Sequence, residues 1–380
     1  MSMGATYLDH NATTPVHPQV IDAVSAAMGL CGNASSVHAW GRRAHNVLED
    51  AREAVASLVG TGDHDVIFTS GGTEANNLAL NCAGLPRLVV SAVEHDSILS
   101  VRDNAEIAAV DSDGVIDIDA LDQLVDGDTL VSVMLANNET GVIQPIEKIA
   151  EVCRSKGAVL HCDAVQAAGK VKLNLRESGV HLASFSAHKI GGPQGVGALA
   201  IYDPSTKVRA LLSGGGQEKG LRPGTENVPG IVGFGAAASI AQSGLTDYLD
   251  LAVLRDGVET QIGRLSPRSQ IFGLKVERLP NTTCFTMPGV GSETQVMSLD
   301  LAGVLVSAGS ACSSGKVKSS HVLRAMGVEQ DVAETAIRVS FGRGSTEQDA
   351  DKLVKAWGGL FARHGLSEQR AAQTTNADAA

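Results

Sequence analysis

Several absences narrow the reading of this 380-residue chain before any motif is considered. It has no excess of positive charge: the formal net charge of −12 leaves no basic face for a nucleic acid. Its opening, Met1 to His10, carries no basic region followed by an apolar core, so no secretory signal is expected. No uninterrupted apolar stretch is long enough to span a bilayer, and the expected compartment is the cytoplasm. None of the six cysteines (Cys31, Cys82, Cys153, Cys162, Cys284 and Cys312) forms a CxxC pair. That disfavours a zinc ribbon or a thioredoxin-type centre, and no metal site is expected. In a reducing compartment most of these should be free thiols. There is no internal repeat. The glycine-rich run Ser213–Thr225 separates Gly215 and Gly220 as a phosphate loop would, but Leu221 stands where that loop requires lysine. With no GxGxxG opening after the first strand either, a simple nucleotide-binding module is disfavoured. What remains is an ordinary globular composition, 43% hydrophobic and 19% charged.

Apolar residues at Ala44, Leu48, Ala51, Val55 and Leu58 recur at spacings of three and four, which predicts a helix within 35–60. Val66-Ile67-Phe68 reads as a strand, and Gly71-Gly72-Thr73-Glu74 opens a further helix. Strands are expected near 88–93, 130–135, 158–162, 182–185 and 196–201. A helix near 145–156 would start at Pro145 and stop before Gly157. This alternation predicts an α/β fold with a mostly parallel sheet covered on both faces. Beyond about residue 245 the pattern changes to a helix near 247–264, a strand near 281–286 and helices near 292–302 and 346–362. The expected partition is a large α/β domain over residues 15–245 and a smaller α+β domain formed by 1–14 and 246–366. A flexible tail over 367–380 completes it. Cys82, Cys153 and Cys162 lie in apolar patterns and read as core.

The chemistry concentrates where apolar runs end. His161-Cys162-Asp163-Ala164-Val165-Gln166 and Ser184-Phe185-Ser186-Ala187-His188-Lys189 each begin as a strand and finish in polar residues, where α/β proteins bind ligands. An acid on one strand end and a lysine on the next suit pyridoxal phosphate, the acid holding the pyridinium proton and the lysine forming a Schiff base. A buried ion pair followed by a Gly-Pro turn is the structural alternative. Thr69-Ser70-Gly71-Gly72-Thr73-Glu74 offers helix N–H groups to a phosphate, or simply makes a capped turn. Ser186 and His188 could donate to the same phosphate. His95 could stack on a planar ring and carry protons, or cap a helix. The amides of Asn137 and Asn138 could bind a cofactor or substrate oxygen, or make a turn. Arg338, in the strand-like Ile337-Arg338-Val339, could grip a carboxylate or form a structural salt bridge. Cys312 lies in Ser307-Ala308-Gly309-Ser310-Ala311-Cys312-Ser313-Ser314-Gly315, where small residues and no burying pattern suggest an accessible thiol.

Taken together, and with Tyr7-Leu8-Asp9-His10-Asn11-Ala12-Thr13-Thr14-Pro15 at the start, these strings resemble the cysteine desulfurases of the class V pyridoxal-phosphate enzymes. The resemblance runs to about residue 350 and implies the aspartate-aminotransferase fold (fold type I). It implies that Lys189 binds the cofactor covalently and that Asp163 protonates its ring nitrogen. Gln166 would bind the ring hydroxyl, His95 would stack on the ring, and Gly72, Thr73, Ser186 and His188 would hold the phosphate. Thr225 would reach the phosphate of a neighbouring subunit, which implies a homodimer. Asn138 and Arg338 would fix L-cysteine, with Arg338 on its carboxylate, and Cys312 would accept the sulfur as a persulfide while alanine leaves. His95 would serve as a proton carrier. The setting of Cys312 resembles the long-loop group linked to iron–sulfur cluster and nitrogenase assembly, so a scaffold protein is the expected sulfur acceptor. Housekeeping members of that group carry a longer C-terminal segment that helps dock the scaffold, and no version of it is recognisable in Asn376-Ala377-Asp378-Ala379-Ala380. Among related enzymes a small-molecule aminotransferase has no need of a loop thiol, whereas a selenocysteine lyase would share these residues. A catalytically silent relative should have lost Lys189, Asp163 or Cys312.

Overall fold

The computed structural model describes residues 4–62, 65–82, 84–309 and 319–378, with the side chains of 82 and 365–378 left aside. A seven-stranded sheet organises the larger part. Its strands are β2 (Val66–Thr69), β3 (Arg87–Ser91), β4 (Glu106–Ala108), β5 (Thr129–Ser132), β6 (Val159–Asp163), β7 (Leu182–Ser186) and β8 (Gly197–Ile201). They follow β1 (Thr6–Tyr7) in the chain and lie in the order β2-β8-β7-β6-β5-β3-β4. Pairing is parallel from β7 through β4, while β8 runs antiparallel to both β7 and β2. The central strands are buried on both faces, which explains their nearly continuous apolar runs. The α/β class and the mostly parallel sheet expected from the alternation are therefore present.

Helices close both faces. Ala39–Val59 turns its buried stripe of Ala44, Leu48, Ala51 and Val55 inward and stops at Gly60, whose φ of 71° needs no Cβ. The apolar helix Val228–Ser243 lies buried against Pro18–Met28 and Ala39–Val59. Among the described residues no single helix is long and apolar enough to cross a membrane. Pro145 sits one position before the helix Ile146–Lys156, as its cap rather than as its first residue, and Gly157 ends that helix at φ 73°.

A second core gathers Leu8 with Tyr248, Ile262, Phe285, Leu299, Val339 and Trp357. It is built on the three-stranded order β11-β12-β9, with β9 at Thr282–Thr286, β11 at Ser307–Ala308 and β12 at Ala336–Ser340. Beside it β1 pairs in parallel with β10 (Val304–Leu305), so the chain's first residues join the C-terminal part. The expected helix over 247–264 is split into Leu245–Leu249 and Leu251–Leu265. The last helix, Glu347–Asp378, runs on through the segment expected to be a flexible tail. Its alanine-rich composition, read as fraying, is equally that of a good helix former. Cys153, Cys162 and Cys284 are fully buried and Cys31 is exposed.

Candidate active site

The parallel pairing of Asp163 with Ser184 brings the carboxyl ends of β6 and β7 side by side. The helix Gly72–Cys82 starts against them. A Cβ on Gly72 would come within 2.9 Å of Val165 Cγ2 and 3.6 Å of Ser186 Cβ, so only glycine lets the helix N-terminus approach both strand ends this closely. Glu74 fixes the turn by accepting from the Ser70 amide at 2.6 Å and from Arg222 Nε at 3.1 Å. The result is a set of helix N–H groups, with Thr73 exposed and Ser186 buried, facing the strand ends.

Asp163 is only 6% exposed, and its two oxygens are held separately. Oδ2 accepts from Asn76 Nδ2 at 2.8 Å and Oδ1 from the Val165 amide at 3.0 Å. Asn76 also donates to Ser97 Oγ at 2.9 Å, and Ser97 in turn meets His95 Nδ1 at 2.9 Å. His95 is the N-cap of the helix Asp96–Leu99, accepting the Ser97 amide at 3.1 Å. His95 thus caps a helix and is half-buried at the strand ends.

Lys189 follows β7 on a single 3₁₀ turn, Ala187–Lys189. Its Nζ donates to the carbonyl of Asn11 at 2.7 Å and that of Ala12 at 2.8 Å. His188 meets Thr13 Oγ1 at 3.2 Å, and burial together with Lys189 pushes its pKa down to about 4. Gln166 Nε2 donates to the same Asn11 carbonyl at 2.9 Å, while its Oε1 accepts from Lys170 Nζ at 2.8 Å. The Asn11 side chain ties this face to the second core, through Thr282 Oγ1 at 2.9 Å and Asn281 Nδ2 at 3.2 Å.

Arg338 enters from β12. Its Nη1 donates to the Asn138 carbonyl at 3.0 Å and its Nη2 to Asp9 Oδ1 at 2.7 Å, while Nε is buried without an acceptor. The salt bridge of the structural alternative is therefore present. Asn137 shapes the neighbouring turn, accepting from the amides of Glu139 and Thr140 at 2.9 Å each. Glu139, buried, accepts from Ser320 Oγ at 2.5 Å, and a Cβ on Gly309 would lie 2.6 Å from the same carboxylate. Gly309 and Ser320 flank the stretch that holds Cys312, which lies outside the described residues. Thr225 is exposed at the end of its loop, and none of the hydrogen bonds joining the other candidates reaches it.

Buried histidines below this face give a pH dependence. His161 lies between Ser132 Oγ and Ser184 Oγ, 2.9 Å from each, and burial alone pushes its pKa down to about 3. His10, buried near Lys170, is pushed to about 4 by burial first and that cation second. Both values lie below the unfolded pKa of about 6.5, so the unfolded chain binds more protons between the two. Their contribution is complete above about pH 6.5 and is lost as pH falls toward 4. The urea midpoint is expected to drop between pH 7 and pH 5, and His161→Asn should flatten that drop.

Sequence comparison places this geometry in a family. The chain matches Aminotransferase class-V over residues 6–353, and it belongs to that family. It is 41% identical over 367 residues to cysteine desulfurase 2 of Trichormus variabilis, covering 93% of this chain and 92% of the relative. A cysteine desulfurase of Bradyrhizobium diazoefficiens is 41% identical over 379 residues, with 96% of each chain covered. The crystal structure of a NifS-like protein from Rickettsia africae superposes with a TM-score of 0.86 at 34% identity, covering 94% of this chain and 99% of that one.

Asp163, Gln166, Ser186, His188, Lys189, Gly72, His95, Asn138 and Arg338 thus share one region through chains of hydrogen bonds and strand pairing. The residue reading missed Asn76, Lys170 and Glu139. Of these only Lys170 left a signal, as a lone charge after the small apolar run Ala167-Ala168-Gly169.

Proposed function

We propose that this face carries out sulfur abstraction with pyridoxal phosphate, Lys189 and Cys312 in the leading roles. The chain is a cysteine desulfurase, an enzyme that converts L-cysteine to L-alanine. The observation that supports the residue roles best is the juxtaposition of Asp163, Lys189 and the Gly72 helix terminus on adjacent strand ends. The groups fit the cofactor: a helix terminus for a phosphate, a buried carboxylate for a ring N–H, and an amine on the next strand. When bound, the cofactor supplies an electron sink for charge developing at the substrate's Cα.

The protein's own groups do the rest. Gly72, Thr73, Ser186 and His188 hold the phosphate, joined by Thr225 of a second copy in a homodimer. Asp163, oriented by Asn76, keeps a proton on the ring nitrogen. Gln166 would bind the ring hydroxyl and His95 would stack on the ring. Arg338, with its unsatisfied Nε, and Asn138 orient the substrate carboxylate. Lys189 Nζ removes the Cα proton. The Cys312 thiolate attacks the substrate sulfur; the new S–S bond forms as the Cβ–S bond breaks. The carbon fragment takes a proton, with His95 as carrier, and leaves as alanine. The persulfide then passes to an acceptor such as an iron–sulfur scaffold. We assign the enzyme to the cytoplasm and divide it into residues 15–245 and a smaller unit of 1–14 with 246–366.

Incubation with L-cysteine, with alanine, sulfide and the Cys312 persulfide measured, tests this reading. Wild type should be yellow and form all three. Cys312→Ala should stay yellow and lose activity on cysteine. Equal turnover in the variant would remove the persulfide step.

A further inference from the structure

Lys170 has no role in the mechanism above, yet it is among the largest fully buried side chains of the protein. It is 1% exposed, and its Nζ donates to two neutral oxygens, Gln166 Oε1 and Asn11 Oδ1, each at 2.8 Å. Neither is a carboxylate, so no counter-ion explains its burial. What the ammonium nitrogen does is select orientation. An amide can present either its oxygen or its nitrogen to a neighbour. Nζ donates to both oxygens, so Gln166 turns Oε1 toward it. On the other side stands the Asn11 carbonyl, which only accepts and receives Nε2 at 2.9 Å. Two neighbours of opposite character thus fix the amide, and one Nε2 hydrogen remains for an acceptor in the site.

We infer that Lys170 is a positioning residue that locks the Gln166 amide with its donor end toward the cofactor's ring hydroxyl. The inference rests on the pyridoxal phosphate reading of Gln166 given above. A donor held against that oxygen favours its anionic form and lowers the pH at which the cofactor–lysine chromophore gains its proton. The charged and titratable groups around Lys170 are Lys189 after β7, Arg338 on β12 with its partner Asp9, and His10 on the N-terminal segment. Burial first, then the nearby Lys189 and Arg338, hold its pKa well below the ordinary lysine value. A direct charge effect on the chromophore must therefore be separated from an effect that passes through Gln166.

The experiment is a pH titration of the visible absorbance of the holoenzyme for wild type, Lys170→Met, Gln166→Leu and the double variant. Methionine keeps the length and apolar stem of the lysine, so the core stays filled. Lys170→Met is expected to move the absorbance transition upward by about one pH unit. Gln166→Leu should move it similarly, and the double variant no further than Gln166→Leu alone. A shift in Gln166→Leu with none in Lys170→Met overturns the inference and leaves the cofactor reading standing. A full additional shift on adding Lys170→Met to Gln166→Leu also overturns it, because the lysine would then act by its charge. No shift in Gln166→Leu overturns the reading of Gln166 and the inference with it.

Discussion

Lys189→Ala is expected to lower alanine formation from L-cysteine by at least about 10³-fold, the range lost when a positioned proton-transfer group is removed. The expectation follows from where Nζ lies. It is held by two backbone carbonyls, of Asn11 and Ala12, and those carbonyls belong to the segment that also anchors Gln166 and Thr282. Among the described residues no other amine bonds to these carbonyls. Lys170 is buried, and its Nζ donates to Gln166 Oε1 and Asn11 Oδ1 instead. Arg338, proposed above to bind the substrate carboxylate, is held by Asp9 and the Asn138 carbonyl, so L-cysteine should still bind. Alanine measured over hours in wild type and variant separates the outcomes. Turnover within tenfold of wild type would show that the Cα proton leaves by another route.

The sequence made the ends of β6 and β7 legible because apolar runs that stop in Asp163 and Lys189 report both burial and a strand terminus. The helix opening at Gly72 was legible for a similar reason: Ser, Gly, Thr and Glu in that order satisfy a helix terminus. The connections were not legible. Asn11 meets Gln166 across 155 residues and Asn281 across 270, and nothing local in Asp9-His10-Asn11 announces either partner. Asn76 sits on a helix whose face toward Asp163 is fixed only when the sheet forms. Gly342 shows the same limit. A Cβ there would lie 2.0 Å from His10 Nδ1, a close approach to the N-terminal segment that nothing local announces. Local pattern pointed to the candidate groups, and tertiary pairing supplied the side chains that hold them.

The loop rejected as a phosphate loop has its own requirement, and breaking it should give the largest loss of stability. Glu218 and Lys219 adopt φ of 46° and 59°, a left-handed region costly for residues with a Cβ. Glu218 is nonetheless buried, because Arg52 meets it with two parallel bonds, Nη1 to Oε2 at 2.7 Å and Nη2 to Oε1 at 2.8 Å. The pair is satisfied at its remaining positions: Phe68 N–H donates to Glu218 Oε2 at 2.8 Å, and Arg52 Nη1 donates to the Val66 carbonyl at 2.9 Å. The guanidinium carbon also lies 4.7 Å from the centre of the Phe68 ring. The pair therefore fixes the base of the loop that ends at Thr225 onto β2, the strand leading into the Gly72 helix. Glu218→Gln leaves the buried Arg52 with Glu49 as its carboxylate partner, Nε to Oε1 at 3.2 Å, and about 3 kcal/mol should be lost in urea unfolding of the holoenzyme, the low end of what breaking a buried pair costs. Adding Arg52→Met should recover part of that loss, since the partly compensated charge is gone. Recovery should be incomplete, because the Val66 carbonyl would lose the Arg52 donor, at about 1–3 kcal/mol. If Glu218→Gln unfolds within about 1 kcal/mol of wild type, the loop is held by something other than this pair, and the strained backbone at Glu218 and Lys219 needs another source of support.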